Sequence, residues 1–277
     1  MCDPDGPSHY HDEHAERNML KTAIEAAIVA GRVIAERYPG GRSVTMKGFR
    51  DLVTDADRAA ESLIFELIQT RFPDHAILSE EAGGDPIGRG YTWVVDPLDG
   101  TTNYAHHNPV FAVSIGVIEK GHPLIGVIHD PLRNQMFVAQ RGAGARLNDA
   151  PIHVSGTEGL GSALIGVDWG HENAVRRRMM DHLSRILPRC RTVRASGSAA
   201  LALAYVAAGW LDAYVHMGLK PWDVAAGVLL IQEAGGLCTT IQGEPYQIER
   251  PDCLAGNRLI HDELLRVIHG PIDFLPL

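Results

Sequence analysis

The chain has 277 residues, 45% of them hydrophobic and 21% charged, with a formal net charge of −9. That length and balance suit a globular protein with a full core, and the acidic excess argues against a polyanionic partner such as DNA. The longest apolar stretch, "AALALAYVAAGWL", is too short to cross a bilayer and runs into Asp212.

Cys2, Cys190, Cys238 and Cys253 are scattered with no CxxC spacing. Neither a zinc ligand set nor a disulfide framework is expected, which suits a reducing cytosol. The opening "MCDPDGPSHYHDEH" is polar and acidic, the opposite of a signal peptide, so a cytoplasmic location is expected. Its histidines, His9, His11 and His14, read as a ragged polar terminus, and no HExxH pair supports a zinc hydrolase. The basic run at 176–178 reads as a solvated helix face.

Apolar or small side chains at 20, 24, 27, 28, 31, 34 and 35 have helical spacing over residues 16–37, and "YPGG" stops that helix. Ala60, Leu63, Ile64, Leu67 and Ile68 share one face of a second helix, closed by Pro73. "AILSEE" and "YTWVVD" read as short strands ending in acid. "VFAVSIGVI", "PLIGVIHD" and "QMFVAQ" then suggest an antiparallel meander. The Gly-rich "RGAGAR" at 141–146 lies between strand-like runs with no helix after it, so it is a hairpin turn rather than a dinucleotide loop. Beyond residue 150 strands and helices alternate. "SALIGV" precedes a helix over 172–187, followed by a helix over 199–208 and a strand over 211–216. A helix from 223 to the Gly235–Gly236 stop, "LCTTI" and a final helix over 262–269 complete the chain. The class is α+β with layered helices and sheets. An N-terminal α+β half (1–150) and a C-terminal α/β half (151–277) are expected to pack as one compact unit, since no linker divides them.

Chemistry concentrates at "WVVDPLDGTTNY", where a buried strand ends in Asp96 and Asp99. Two carboxylates so close repel unless a cation lies between them. All-oxygen ligands suit Mg²⁺, and the Leu98 carbonyl could add another oxygen. Gly100 admits a close ligand, while Thr101 and Thr102 look like the start of a short helix whose N–H groups suit a phosphate. Three further acidic sites sit at element boundaries: Glu80 and Glu81 after a strand, Asp223 opening a helix, and Asp57 opening another. Each alone also reads as a solvated acid or a helix cap, and Thr54 with Asp57 would form a capping box.

"DPLDGTTNY", the upstream "SEE", the early "DLVTDAD" and the late "PWDVAAGVLLIQEAGG" resemble the inositol monophosphatase family in order and separation, over residues 16–270. The resemblance implies a layered αβαβα sugar-phosphatase fold, a homodimer, lithium sensitivity, and two or three Mg²⁺ ions per site. It implies that Glu80, Asp96 and the Leu98 carbonyl bind a first ion, and Asp96, Asp99 and Asp223 a second, with a weaker third also leaning on Glu80. Thr101 paired with Asp57 would orient and deprotonate an attacking metal-bound water, so that Asp57, Thr101 and Glu80 carry catalysis. Gly100 and Thr101 would hold the phosphate, and Gly197, Ser198 and Ala199 in "RASGSAA" match the family's second substrate segment.

What the resemblance implies, then, is a phosphomonoesterase acting on a small phosphorylated metabolite, inositol 1-phosphate first; the acidic charge and the short apolar stretches lead us to expect neither nucleic acid nor membrane as partner. One departure bears on substrate. His216 stands where inositol-processing members usually carry a sugar-contacting glutamate, with Lys220 nearby in sequence. An imidazole with a lysine at hand favours a second anionic group, as in fructose 1,6-bisphosphate. Histidinol phosphate fits the change less well, and "GTTN" rather than "GTKE" argues against 3′-phosphoadenosine nucleotides. Haloacid-dehalogenase-type phosphatases also carry an Asp-Gly-Thr, but their two aspartates stand two apart; here they stand three apart around a proline, against a covalent phospho-aspartate. A non-catalytic sensor or regulatory protein is the alternative from another class.

Overall fold

The computed structural model describes residues 8–40, 44–48, 51–84, 86–88 and 90–271. A long helix α1 (Ser8–Arg37) leads into a hairpin of β1 (Val44–Gly48) and β2 (Asp51–Thr54), and α2 (Asp55–Arg71) follows directly. Next come β3 (Ala76–Ser79), β4 (Gly83–Gly84), β5 (Tyr91–Asp99) and the short α3 (Thr101–Ala105). The meander runs through β6 (Ala112–Glu119), β7 (His122–Asp130), β8 (Gln135–Gln140), β9 (Ala145–Leu147) and β10 (Ala150–Pro151). The remainder alternates β11 (Leu164–Trp169), α4 (Asn173–Ile186), β12 (Thr192–Arg194), α5 (Ala199–Ala207), β13 (Ala213–Met217) and α6 (Pro221–Glu233). It ends with β14 (Leu237–Thr239), β15 (Asp252–Gly256) and α7 (Arg258–His269).

Eight strands form one sheet in the order β10-β9-β8-β7-β6-β5-β3-β4, and five form another in the order β12-β11-β13-β15-β14. β5 through β9 pair antiparallel in sequence, as the alternating apolar runs predict, and "RGAGAR" turns β8 into β9. α1 and α2 cover one face of the large sheet with Ala23, Ala27, Ala60, Ile64 and Ile68. α5 and α6 fill the space between the sheets, and α4 with α7 covers the outer face of the small sheet. The five layers are therefore helix, sheet, helix, sheet, helix, the α+β architecture expected.

The middle layer explains the composition of its helices. A helix packed against a sheet on each side has no solvated face, and Val224 to Ile231 of α6 are all buried. Contact is close enough that a Cβ on Gly126 of β7 would lie 2.6 Å from the Ala226 carbonyl oxygen. Only glycine lets the sheet approach the helix backbone to that distance.

Several boundaries differ from the sequence expectation. α1 starts at Ser8, not at residue 16, so the early histidines lie on a helix instead of a ragged terminus, while residues 1–7 fall outside the described residues. The polar segment has no apolar stripe to signal it, yet backbone bonds still carry the helix through. The β1–β2 hairpin, β12 and β15 were not anticipated; each has only three to five residues, too few for a period to emerge. α7 begins at Arg258, not 262, because the Asn257 side chain accepts the Ile260 N–H and caps it.

Candidate active site

In a regular strand, residues three apart point to opposite faces. Asp96 pairs with Ser114 and Asp99 with Ala112, so three steps on β5 match two on β6. That bulge turns both carboxylates to the same side. The Leu98 N–H donates to Asp96 Oδ1 at 3.0 Å and fixes the turn. Asp96 is 2% exposed and Asp99 6%. Asp223, in the first turn of α6, joins them: the three carboxylates offer oxygens within 4.8 Å of one another. Its Oδ2 also accepts the Lys220 N–H at 2.7 Å, so one carboxyl both caps the helix and reaches the cluster.

Burial raises the Asp96 carboxyl well above the ordinary range, with further upward pushes from Glu80, Asp99 and Asp223. Asp223 is raised strongly too, by burial and then by Asp99. Asp99 is raised to about 6 by burial, although the Ser198 hydroxyl and the Ala199 and Ala200 amides at the head of α5 all donate to it. Among the described residues, no ion pair reaches Asp96, Asp99 or Asp223. Three clustered oxygen donors, Asp96 and Asp99 buried and Asp223 half-buried, with no ion pair to them among the described residues, fit a hard divalent cation.

Asp57 divides its work between two oxygens. Oδ2 accepts the Thr54 N–H at 2.8 Å and the Thr54 hydroxyl at 2.5 Å, completing the capping box of α2. Oδ1 lies 3.2 Å from Thr101 Oγ1, which is also 3.0 Å from the Leu98 carbonyl oxygen. A hydroxyl has one proton, so Thr101 can give it fully to only one of the two. Burial raises Asp57 to about 6 against the hydrogen bonds from Thr54 and Thr101.

Glu80, Asp96, Asp99, Thr101, His216 and Asp223 line one cavity of about 380 Å³. Gly100, Gly197, Ser198 and Ala199 line it too; Asp57 and Leu98 are not lining residues but border it at Thr101, whose Oγ1 meets Asp57 Oδ1 and the Leu98 carbonyl oxygen. Gly100 has φ 96°, and a Cβ there would lie 2.9 Å from the Val110 carbonyl oxygen and 3.3 Å from that of Gly197. Gly100→Ala is expected to cost about 1–2 kcal/mol from the left-handed backbone alone and to displace Thr101, which parallel unfolding and activity measurements would register.

Asp168, at the end of β11, was not anticipated from sequence. It accepts the Gly197 N–H at 3.1 Å and the Ser196 and Tyr214 hydroxyls at 3.2 Å each. Burial raises it to about 6. Its only sequence signal is an acid closing an apolar run, the same signal that marks Asp96. His216 of β13 is 8% exposed, and its Nδ1 is buried without a hydrogen-bond partner among the described residues. Burial lowers its pKa to about 4, so the imidazole is neutral near pH 7. Lys220 is exposed and does not line the cavity, so the expected pairing of His216 with Lys220 is not formed there.

The chain is 40% identical to an inositol-1-monophosphatase of Synechocystis sp., covering 90% of this chain and 88% of that one. It is 42% identical to a Nus factor SuhB of Pseudomonas aeruginosa, over 90% and 95% of the two chains. Among solved structures, the extragenic suppressor protein suhB of Bartonella henselae superposes with a TM-score of 0.87 at 35% identity, covering 91% of this chain and 99% of that one. The model of the inositol monophosphatase family matches residues 15–271, and with these relatives it shows that the chain belongs to that family.

Proposed function

We propose that the chain is a Mg²⁺-dependent phosphomonoesterase that hydrolyses a small sugar or polyol phosphate, with inositol 1-phosphate the leading candidate. The observation that carries this reading is the Asp57–Thr101 pair standing beside three clustered carboxylates at one cavity. Glu80, Asp96 and the Leu98 carbonyl would hold one ion; Asp96, Asp99 and Asp223 would hold a second, with Glu80 contributing to a weaker third. Bound there, Mg²⁺ supplies positive charge to the phosphoryl oxygens and the departing alkoxide.

The protein's own groups supply direction. Gly100 and Thr101 hold the phosphate. Thr101 Oγ1 accepts a proton from the attacking water while passing its own toward Asp57 Oδ1, so Asp57 acts as a base one hydroxyl removed. Ser198 and the amides of Ala199 and Ala200 keep Asp99 aimed at the cluster, and Asp168 holds Ser196 and Gly197 in turn. A neutral His216 suits a hydroxyl better than a second phosphate, which favours a polyol monophosphate over a bisphosphate. His216→Ala is expected to raise KM for such a substrate about 2–10-fold, the worth of one net hydrogen bond, with a smaller effect on kcat. The reading extends to a homodimer, as the resemblance implies, and to a cytoplasmic location, which the scattered cysteines suit.

The test is phosphate release, with and without Mg²⁺, from inositol 1-phosphate, fructose 1,6-bisphosphate, histidinol phosphate and 3′-phosphoadenosine 5′-phosphate, with Li⁺ as inhibitor. Mg²⁺-dependent release from inositol 1-phosphate is expected; no release from any of the four would defeat the enzymatic reading. Relatives named Nus factor SuhB favour a regulatory role as the second reading. Asp223→Asn separates the two, because an enzyme loses turnover while a regulatory scaffold keeps its effect on its partner.

A further inference from the structure

α2 carries a second acid one turn beyond Asp57. Glu61 Oε1 accepts the Ser79 hydroxyl at 2.5 Å and the Ala82 N–H at 3.0 Å. Those two donors bracket Glu80 and Glu81, the acids that leave β3. On the opposite side, the Glu80 N–H donates to the Val95 carbonyl of β5 at 3.2 Å, one residue before Asp96. The turn is thus tied to the large sheet by its backbone and to α2 by one carboxylate oxygen. Ser79 is fully buried, so its hydroxyl has little access to solvent as a substitute partner.

Residues four apart on a helix lie on one face, about 5–6 Å between Cβ atoms. Asp57 and Glu61 therefore form a pair with fixed spacing, one facing Thr101 and the other fastening the turn that bears Glu80. We propose that Glu61 is a positioning residue: it sets the height of Glu80 against Asp96, and so tunes divalent-metal affinity without entering the cavity. Glu61 is absent from the cavity lining, and its reach is through Ser79 and Ala82 alone among the bonds described. This inference rests on the metal-binding part of the proposed function and not on the identity of the substrate.

The experiment is Mn²⁺ titration of the full chain, read from the paramagnetic resonance signal of free Mn²⁺, alongside thermal unfolding. Glu61→Ala is expected to weaken binding about 10–100-fold, the usual consequence of losing a group that orients a metal ligand. Glu61→Gln keeps an acceptor oxygen and should lose less. Ser79→Ala should weaken binding in the same direction, and the Glu61→Ala/Ser79→Ala double variant should bind no worse than Glu61→Ala. In activity, the Mg²⁺ concentration for half-maximal rate should rise while kcat at saturating Mg²⁺ stays near wild type.

A lowered Tm with Mn²⁺ affinity within twofold of wild type would mean a merely structural role and overturn the proposal. If Glu61→Ala fails to fold, the other two variants decide: unchanged affinity in both overturns it equally. Wild-type protein that binds Mn²⁺ but releases no phosphate would defeat the phosphatase reading and leave this inference standing. Wild-type protein that binds no Mn²⁺ would remove its basis.

Discussion

Asparagine in place of Asp96 is expected to make the metal-free protein more stable and the enzyme inert. Asp96 is buried beside Glu80, Asp99 and Asp223, and burial, the three neighbouring carboxylates and a hydrogen bond with Glu80 all oppose its charge. The Asn side chain keeps an oxygen for the Leu98 N–H while removing one buried charge. Each kcal/mol relieved should raise Tm by roughly 2–4 °C for a chain of this size. The same change removes the ligand proposed to bridge two ions. Several kcal/mol of transition-state charge stabilisation depends on them, so turnover should fall by about 10³-fold or more. Calorimetry with and without Mg²⁺ checks both halves: wild type gains stability on adding Mg²⁺, whereas Asp96→Asn starts higher and gains little. A variant less stable than metal-free wild type, or one still stabilised by Mg²⁺, would contradict the argument.

The same charges fix the sign of the pH dependence. Asp57, Asp99 and Asp168 have folded pKa values near 6 against 3.8 for a free aspartate, and burial with neighbouring carboxylates raises Asp96 and Asp223 well above it too. The folded metal-free state therefore binds more protons than the unfolded one. These groups favour folding most below about pH 4, and their contribution declines as pH rises through about 6 and beyond. Cation binding must displace those protons, so Mg²⁺ affinity should rise over the same interval.

Asp57→Asn should separate metal binding from catalysis. The Asn oxygen can still accept from Thr54 and keep the cap of α2, but its amide would present N–H to Thr101 Oγ1, reversing the hydrogen bond. Thr101 would then have only the Leu98 carbonyl as acceptor, and the route for the water's proton is closed. Turnover is expected to fall about 10²–10⁴-fold, the usual contribution of a positioned base, with Mn²⁺ affinity nearly unchanged. In wild type the rate should climb as pH rises through about 6, earlier when a cation is bound, and Asp57→Asn should lose that limb. A variant whose kcat stays within tenfold of wild type would remove Asp57 from the proposed proton path.

Much of the layered plan was legible because long elements declare themselves by period. Ala60, Ile64 and Ile68 gave α2, and the alternating runs gave β6 to β8. The acids were legible as residues but ambiguous as roles. Thr54 with Asp57 reads as a capping box and also as half of a water-orienting pair, and the structure shows that each Asp57 oxygen has a separate partner. What the sequence could not show was parity. Asp96 and Asp99, three apart, should face opposite ways on a strand; the bulge that aligns them depends on pairing with β6, which is not a local property. Asp168 escaped for a similar reason, since its partners lie 28 to 46 residues away. The pairing of His216 with Lys220 failed because four residues along the chain here span the end of a strand and the head of a helix.

The enclosure of α6 also has a kinetic reading. Its amides, from Val224 to Ile231, are shielded by a sheet on either side, so their hydrogens should exchange with deuterium only when the whole molecule unfolds. Asp223 opens that helix. Its half-buried first turn is held by the Lys220 N–H bond to Asp223 and by the enclosed turns that follow at once, so the carboxylate is expected to keep its place while that slow-exchanging segment stays folded, on a timescale longer than a catalytic cycle.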